Sequence, residues 1–319
     1  METKFKNNLI QKLKEKDLSD SSIKMYVKNL EKLNDNMPLK NFSFLKDIDK
    51  ISQLLDKYKL NTIRNYLISI VSCLGVFNDN KNIKKLQDKY YILIKDKKKD
   101  IDAIPSAKMS ESQKDNWISW DQVEEKFNQL LDEVKSFDHN KVINEKQYNI
   151  LLSCVILGLY FLQYVRRNKD YQMMYIIKEY NDKMPNDINY LCLYCQNFFF
   201  NVYKTSKKYG LQIIPINKEL MNIIDVYIKY HPLIKGKKLS KKDIIPFLVN
   251  YKGKHLDKIN SITRILNNTF DKKIGSSLLR HIYLTDKYGN IEKEREQTAL
   301  NMGHTVQTQA EYIKDPHLS

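Results

Sequence analysis

The 319-residue chain has few of the features that mark metal-binding, secreted or membrane-spanning proteins. It contains only four cysteines, Cys73, Cys154, Cys192 and Cys195. The single Cys-x-x-Cys pair lacks the second ligand pair of a zinc site, so we expect buried thiols and no metal ion. No apolar run reaches spanning length, and Met1–Lys6 is polar, unlike a signal peptide. These absences favour a soluble, reduced, intracellular protein without a membrane partner.

Glycine is also scarce, and acidic residues are fewer than basic ones. The eight glycines form no recognisable phosphate-binding loop. The 38 acidic residues are outnumbered by 54 lysines and arginines, which gives a formal net charge of +16. A chain this basic favours a polyanionic partner, and its length is sufficient for two domains.

Helical periodicity dominates the first hundred residues. Apolar residues recur at helical spacing in residues 23–33, 48–55, 63–74 and 83–90. Lysines fill the opposite faces, which predicts a small helical bundle with a basic exterior over residues 1–100. Periodicity is lost over residues 96–116, and we expect a charged linker at residues 101–116 between two domains.

Helices and short strands alternate in the predicted second domain, residues 117–319. Ser119–Gln122 is a capping-box pattern, and the apolar run Leu151–Leu162 is typical of a buried helix. Strand-like segments follow at residues 173–177, 189–194, 197–203 and 211–216. The last two flank a turn or short loop at residues 204–210. The sequence therefore predicts a mainly α protein with a small antiparallel β-sheet.

Three residues near the C-terminus suit phosphodiester chemistry. Arg280 follows two leucines in a helical pattern, so it either lies at the rim of a buried helix or is held rigidly towards a phosphate. His304 follows Gly303, a helix-stop residue, and is either a cap or a donor. Tyr312 is a poor nucleophile at neutral pH unless cations stabilise its phenolate. Together the three can attack a phosphodiester without a metal.

These residues belong to motifs that resemble those of tyrosine recombinases. Gly275–His281, Met302–His304 and Tyr312 are similar to the family's His-x-x-Arg-His motif, Leu-Gly-His motif and nucleophilic tyrosine. The motifs occur in the family's order. The helical first half also resembles the family's core-binding domain, so the resemblance covers about residues 15–319.

Two earlier motifs of the family have matches upstream. Arg167, with Asp170 three positions later, follows an apolar helix as the family's first arginine does. Lys204 lies between two strand-like segments, like the family's hairpin lysine. We prefer Arg167 to its neighbour Arg166 because of the spacing to Asp170, whose carboxylate we expect to orient it. Lys207 is an alternative to Lys204, as is Lys208.

The resemblance implies a site-specific recombinase or integrase that cleaves and rejoins DNA through a 3′-phosphotyrosyl bond. Its catalytic residues would be Arg167, Lys204, Arg280, His304 and Tyr312. No metal or cofactor is implied, since the covalent intermediate conserves the bond energy. The implied partner is double-stranded DNA, held by a two-domain clamp within a homo-tetramer. The AT-biased composition and the segment Arg166–Tyr171 are also similar to recombinases of this family from large DNA viruses and their satellites. This similarity implies a mobile or viral element that acts on intracellular DNA.

The chain departs from the family's pattern at Ser277 and in the spacing of eight from His304 to Tyr312, which is one shorter than in many members. Ser277 stands where the family has its first histidine, and His281 is the next candidate for that role. Two alternative functions therefore stay open. One is a type IB topoisomerase, although the Ser-Lys-x-x-Tyr signature that we associate with that family is absent. The other is a catalytically impaired DNA-binding protein with the same fold.

Overall fold

The structure is a computed structural model that describes residues 3–16, 18–103, 108–138, 141–258 and 260–314. The chain divides into two compact units, residues 1–109 and residues 110–319. The fold class is confirmed as mainly helical with one small sheet. No helix in the described part of the chain is long and apolar enough to cross a membrane.

The first unit is a helical bundle with its own apolar core. Its helices are α1 (Lys4–Glu15), α2 (Asp20–Leu33), α3 (Ile48–Asp56), α4 (Leu60–Gly75) and α5 (Lys81–Asp102), with a 3₁₀ turn at Ser43–Leu45. The sequence did not predict α1. The Thr3 side chain caps α1 by accepting a hydrogen bond from the Lys6 amide, and Leu9 and Leu13 are buried.

The expected linker contains more helix than its composition suggested. Helix α5 continues to Asp102, through residues 96–100 that were expected to be irregular. Lysine and aspartate pairs one turn apart, Lys97–Asp100 and Lys99–Asp96, support this last part of the helix. A further short helix, α6 (Glu111–Asn116), has a capping box at Ser110. The segment is thus helical at both ends.

The second unit packs helices around a small sheet. Its remaining elements are α7 (Trp120–Lys135), α8 (Glu145–Phe161), α9 (Asn168–Gln172), β1 (Met174–Ile177), β2 (Asn189–Cys192), β3 (Asn197–Phe200), α10 (Ser206–Tyr209), β4 (Gln212–Pro215), α11 (Lys218–Tyr230), β5 (Ile245–Pro246), α12 (Ser261–Phe270), α13 (Ser276–Asn301) and α14 (Val306–Tyr312). Helix α8 is the centre of the core, buried from Leu151 to Tyr160 except at Ser153. Its apolar run therefore formed the predicted buried helix.

The five strands lie in the order β4-β3-β2-β1-β5. Three neighbouring pairs are antiparallel, but β1 and β2 are parallel, so the sheet is mixed and not purely antiparallel. The chain from 178 to 188 returns to the start of the sheet before β2 begins, which sets this direction. Strand β5 was not predicted, because two residues are too few to show an alternating pattern.

Three of the four cysteines are buried, as the sequence predicted, whereas Cys195 is exposed. Burial raises the pKa of Cys73 and of Cys154 to about 12, so these thiols are protonated and unreactive at neutral pH.

Candidate functional site

Two arginines lie together where α9 meets the amino end of α13. Arg167 is the residue that precedes α9, and Arg280 lies in the second turn of α13. Both side chains are half-buried. The Arg280 Nε donates a 3.1 Å hydrogen bond to the Ser276 carbonyl, one turn back along its own helix. Leu278 and Leu279, within this turn, are buried, so Arg280 extends from a fixed part of the helix.

Asn168 connects the elements that carry the two arginines. Its backbone N–H donates to Ser276 Oγ at 3.2 Å, and its Nδ2 donates to Thr263 Oγ1 at 2.8 Å. Its Oδ1 accepts a 2.7 Å hydrogen bond from the Tyr160 hydroxyl. Helices α8, α12 and α13 are therefore joined through the residue that follows Arg167.

The electrostatics around Arg280 favour an anion. Burial lowers the pKa of Arg280, and repulsion from the positive charge of Arg167 lowers it further, while Asp170 opposes both effects. The amino end of α13 adds partial positive charge, because its N-cap, Gly275, has no side chain to accept from the first amides. An anion with several oxygens, such as a phosphate, would relieve this repulsion by binding between the two guanidinium groups.

The carboxylate of Asp170 pairs with Arg166 and not with the side chain of Arg167, contrary to the expectation from sequence. Arg166 Nε lies 3.1 Å from Asp170 Oδ2, and only 14% of the Arg166 side chain and 5% of the Asp170 side chain are exposed. Burial raises the pKa of Asp170, and the charges of the two arginines partly offset that rise. Arg167 accepts a 2.9 Å hydrogen bond at its backbone carbonyl from the Asp170 N–H. Its own guanidinium has no partner among the described residues.

Arg166 is occupied by three further contacts. Its Nη1 donates to Gln212 Oε1 at 2.9 Å. Its Cζ lies 3.7 Å from the centre of the Phe200 ring and 5.1 Å from that of Tyr203. A guanidinium engaged in this way holds protein elements together, whereas the Arg167 guanidinium makes none of these contacts in the described structure.

Lys204 lies in the connection between β3 and β4, as the sequence predicted. These strands pair antiparallel, and the connection, residues 201–211, contains the one-turn helix α10. Gly210 adopts φ 65°, which suits glycine and turns the chain from α10 into β4. Lys204 is exposed, and its amine has no hydrogen-bond or ion-pair partner in the part of the chain that the structure describes.

The two candidates for the missing histidine role are both at the surface. Ser277 is exposed in the first turn of α13, and His281 is exposed one turn later. Neither side chain has a hydrogen-bond partner among the described residues. The buried serine at this point is Ser276, which accepts the hydrogen bond from Asn168. Ser277 therefore has no neighbour in the described structure that would make it a base.

His304 and Tyr312 form a second group at the carboxyl end of α13. Gly303 ends α13 with φ 72°, and the His304 amide then donates to the Ala299 carbonyl. The rings of His304 and Tyr312 lie 5.7 Å apart, and Tyr312 is 68% exposed. His304 Nε2 is buried without a hydrogen-bond partner in the described structure, while Nδ1 lies 3.2 Å from the Thr305 carbonyl.

Helix α13 separates this group from the arginine pair. The sequence suggested consecutive helices, but α13 is continuous over 26 residues. At 1.5 Å per residue, the 21 positions from Arg280 to Asn301 correspond to about 30 Å along the axis. Every side chain from Leu284 to Thr298 is exposed or half-buried, so none of them belongs to the buried core. The structure thus brings Arg167 to Arg280 and His304 to Tyr312, but not one pair to the other.

Sequence reasoning missed Asn168 and Ser276, which connect the elements that carry the two arginines. Single polar residues with no periodic spacing gave no signal, and each acts through contacts far away in the chain. No group of three or more His, Cys, Asp or Glu side chains suited to a metal ion occurs in the described ranges.

Comparisons with known proteins add little. No family model matches the chain. No curated protein sequence matches it either. Among solved structures, the crystal structure of XerA recombinase aligns with 98% of this chain and 94% of its own, at 13% identity and a TM-score of 0.33. A likeness this distant carries no argument about function, so the function rests on the site.

Proposed function

We propose that the chain is a DNA strand transferase of the tyrosine recombinase type, which breaks and rejoins duplex DNA through a bond to Tyr312. The observation that carries this proposal is the pair of half-buried arginines, Arg167 and Arg280, whose mutual repulsion Asp170 offsets only in part because that carboxylate pairs with Arg166. Such a pair suits a phosphodiester. The ordered motifs, which resemble those of the family, add a lysine, a histidine and a tyrosine with matching roles.

In the proposed reaction, Arg167 and Arg280 bind the non-bridging oxygens of the scissile phosphate. The Tyr312 hydroxyl, which is exposed, gives its proton to solvent water and its oxygen bonds to phosphorus, while the bond from phosphorus to the 5′-oxygen breaks. Lys204 gives a proton to that leaving oxygen, and His304 donates a hydrogen bond to the phosphate. Attack by a 5′-hydroxyl on the phosphotyrosyl bond reverses these steps and rejoins a strand. Each arginine contributes about 3 kcal/mol as charge grows on the phosphate.

Tyr312 must approach the arginine pair for this reaction to occur. With α13 continuous, a single chain keeps the two apart, so catalysis requires either a break in α13 or the tyrosine of a second copy. Mixing Arg280→Ala with Tyr312→Phe tells these routes apart. If the tyrosine is shared between copies, the mixture forms much more adduct than either variant alone; if α13 breaks, the mixture forms no more adduct than Arg280→Ala does alone.

The second candidate function is a DNA-binding protein that has lost catalysis. It is favoured by the exposed Ser277 in place of a histidine and by the separation that α13 imposes. Both functions predict DNA binding that weakens on removal of Arg167 or Arg280. They differ in covalent chemistry, which the silent protein lacks. The proposed function needs no partner beyond duplex DNA, no tetrameric state and no viral source. It also does not depend on the type IB topoisomerase alternative.

The test is a covalent adduct with DNA. Wild-type protein is incubated with a pool of random-sequence duplexes that carry nicks, so that the cleaved end diffuses away and traps the intermediate. Denaturing gels should show protein joined to DNA, and Tyr312→Phe should show none. Arg280→Ala should reduce the adduct about 100-fold. A wild-type chain that binds the pool but forms no adduct is the silent protein of the second candidate.

A further inference from the structure

Arg166 occupies the base of the loop that carries Lys204. Phe200 is the last residue of β3 and Gln212 the first of β4, and the two are paired in register. Arg166 stacks on Phe200 and donates to Gln212, so it touches both ends of the 201–211 loop at once. It also lies near the Tyr203 ring, immediately before Lys204.

Two other contacts fix the same part of the loop. The Asn189 side chain accepts from the Val202 amide at 2.8 Å and donates to the Val202 carbonyl at 2.9 Å. It also donates to the Asp170 carbonyl at 2.8 Å. The Tyr203 hydroxyl donates to the Gly210 carbonyl at 2.9 Å and closes the loop on itself. The chain on either side of Lys204 is therefore held, while the lysine remains exposed.

From these contacts we infer that Arg166 is a positioning residue for the general acid Lys204, an inference that rests on the proposed function. Arg166 is adjacent in sequence to Arg167, and Tyr203 is adjacent to Lys204. The stack and ion pair of Arg166 thus place the base of the lysine loop beside the arginine that binds phosphate. Arg166 does not touch the DNA in this account; it acts on the reaction only through the loop.

The loss of cleavage rate on replacing Arg166 has an upper limit. A residue that acts only through Lys204 cannot cost more when removed than Lys204 itself. Loss of a general acid lowers the rate about 10²- to 10⁴-fold. We therefore expect Arg166→Lys and Arg166→Gln to slow cleavage about 10- to 100-fold, within that limit. Lysine keeps the charge towards Asp170 but lacks the planar fork that reaches Asp170 and Gln212 together. Combined with Lys204→Ala, either change should add almost nothing.

The experiment uses a nicked DNA substrate with sulfur in place of the leaving 5′-oxygen. A thiolate leaves without a proton, so a general acid is no longer needed. Cleavage by Lys204→Ala and by Arg166→Gln should then return to within a few-fold of wild type. Arg280→Ala is the control, because its phosphate contact is needed with either leaving atom and its defect should persist. Gln212→Leu, which removes only one contact of Arg166, should show a smaller defect that sulfur also relieves.

Several results would overturn the inference. An Arg166→Gln defect that persists with sulfur would make Arg166 a phosphate ligand or a purely structural residue. Wild-type rates in both Arg166 variants would remove its role. A Lys204→Ala defect that sulfur does not relieve would remove the general-acid role, and this inference with it. If wild-type protein cleaves neither substrate, the proposed function itself fails. Should Arg166→Gln not fold, Gln212→Leu provides the same comparison.

Discussion

Replacing Asn168 by alanine tests how the arginine pair is held in place. The change removes two side-chain hydrogen bonds, one from the Tyr160 hydroxyl and one to Thr263. It keeps the backbone bond to Ser276. Tyr160 is fully buried, so its hydroxyl loses its partner without gaining water. A lost hydrogen bond costs about 1 kcal/mol, and an unsatisfied buried group costs about 1–3 kcal/mol. We expect Asn168→Ala to destabilise the second unit by about 2–4 kcal/mol.

A double-mutant cycle separates the two contributions. In a Tyr160→Phe background the hydroxyl is already absent, so Asn168→Ala should cost only about 1 kcal/mol. The chain has two tryptophans, Trp117 and Trp120, both in the second unit. Urea unfolding of the full chain, followed by tryptophan fluorescence, therefore reports on this unit alone. Equal losses in both backgrounds would refute the reasoning, since they would show that Tyr160 does not depend on Asn168.

Three further predictions concern stability and binding. Burial lowers the pKa of His231 from 6.5 to about 4. The free energy of unfolding of the second unit should therefore be full above pH 6.5 and fall by about 3 kcal/mol as the pH drops towards 4. His231→Gln should flatten this pH dependence, and an unchanged profile in the variant would contradict the prediction. Gly289→Ala should stabilise the chain by about 0.5–1 kcal/mol, since an added methyl meets only Thr285 Cγ2 at 3.5 Å. Urea unfolding measures this change. A destabilised variant would argue against a continuous α13. Duplex binding should weaken steeply with salt, log K falling by about 0.9 per phosphate contact in a titration, and a slope near zero would count against a DNA-binding role.

Most of the helices and strands were predictable because their apolar residues repeat with a clear period. The buried helix α8 and the strands on either side of Lys204 are examples. Helix α1 was missed although Phe5, Leu9 and Leu13 recur at helical spacing behind the cap residue Thr3, so its signal was present in the sequence. The parallel pairing of β1 with β2 was missed because strand direction depends on the path of residues 178–188, which has no periodic pattern.

Parts of the site could be located from sequence, but its contacts could not. Asp170 is three residues from Arg167 and four from Arg166, and both spacings bring side chains together near a helix start. What decides between them is the stack of Arg166 on Phe200 and its bond to Gln212, both distant in sequence. The identities of the proposed catalytic residues and the domain limits at residues 101–116 stay predictions, as does the clamp.

The continuity of α13 was also outside the reach of the sequence. Gly289 and Asn290 are poor helix formers, but the residues after them favour helix strongly. The Arg295–Glu292 pair, 3.1 Å apart, supports that second half. Helix propagation across two weak positions costs little when both flanks are helical. Whether DNA changes the path of the helix at this point is tested by the mixing experiment.

The measurement that tests the account most directly is identification of the residue joined to DNA. Wild-type protein trapped on nicked duplexes is digested with protease and nuclease, and the modified peptide is read by mass spectrometry. The account predicts a nucleotide on Tyr312 through its 3′-phosphate, and no such peptide from Tyr312→Phe. A nucleotide on another residue, or an adduct that persists in Tyr312→Phe, would contradict it.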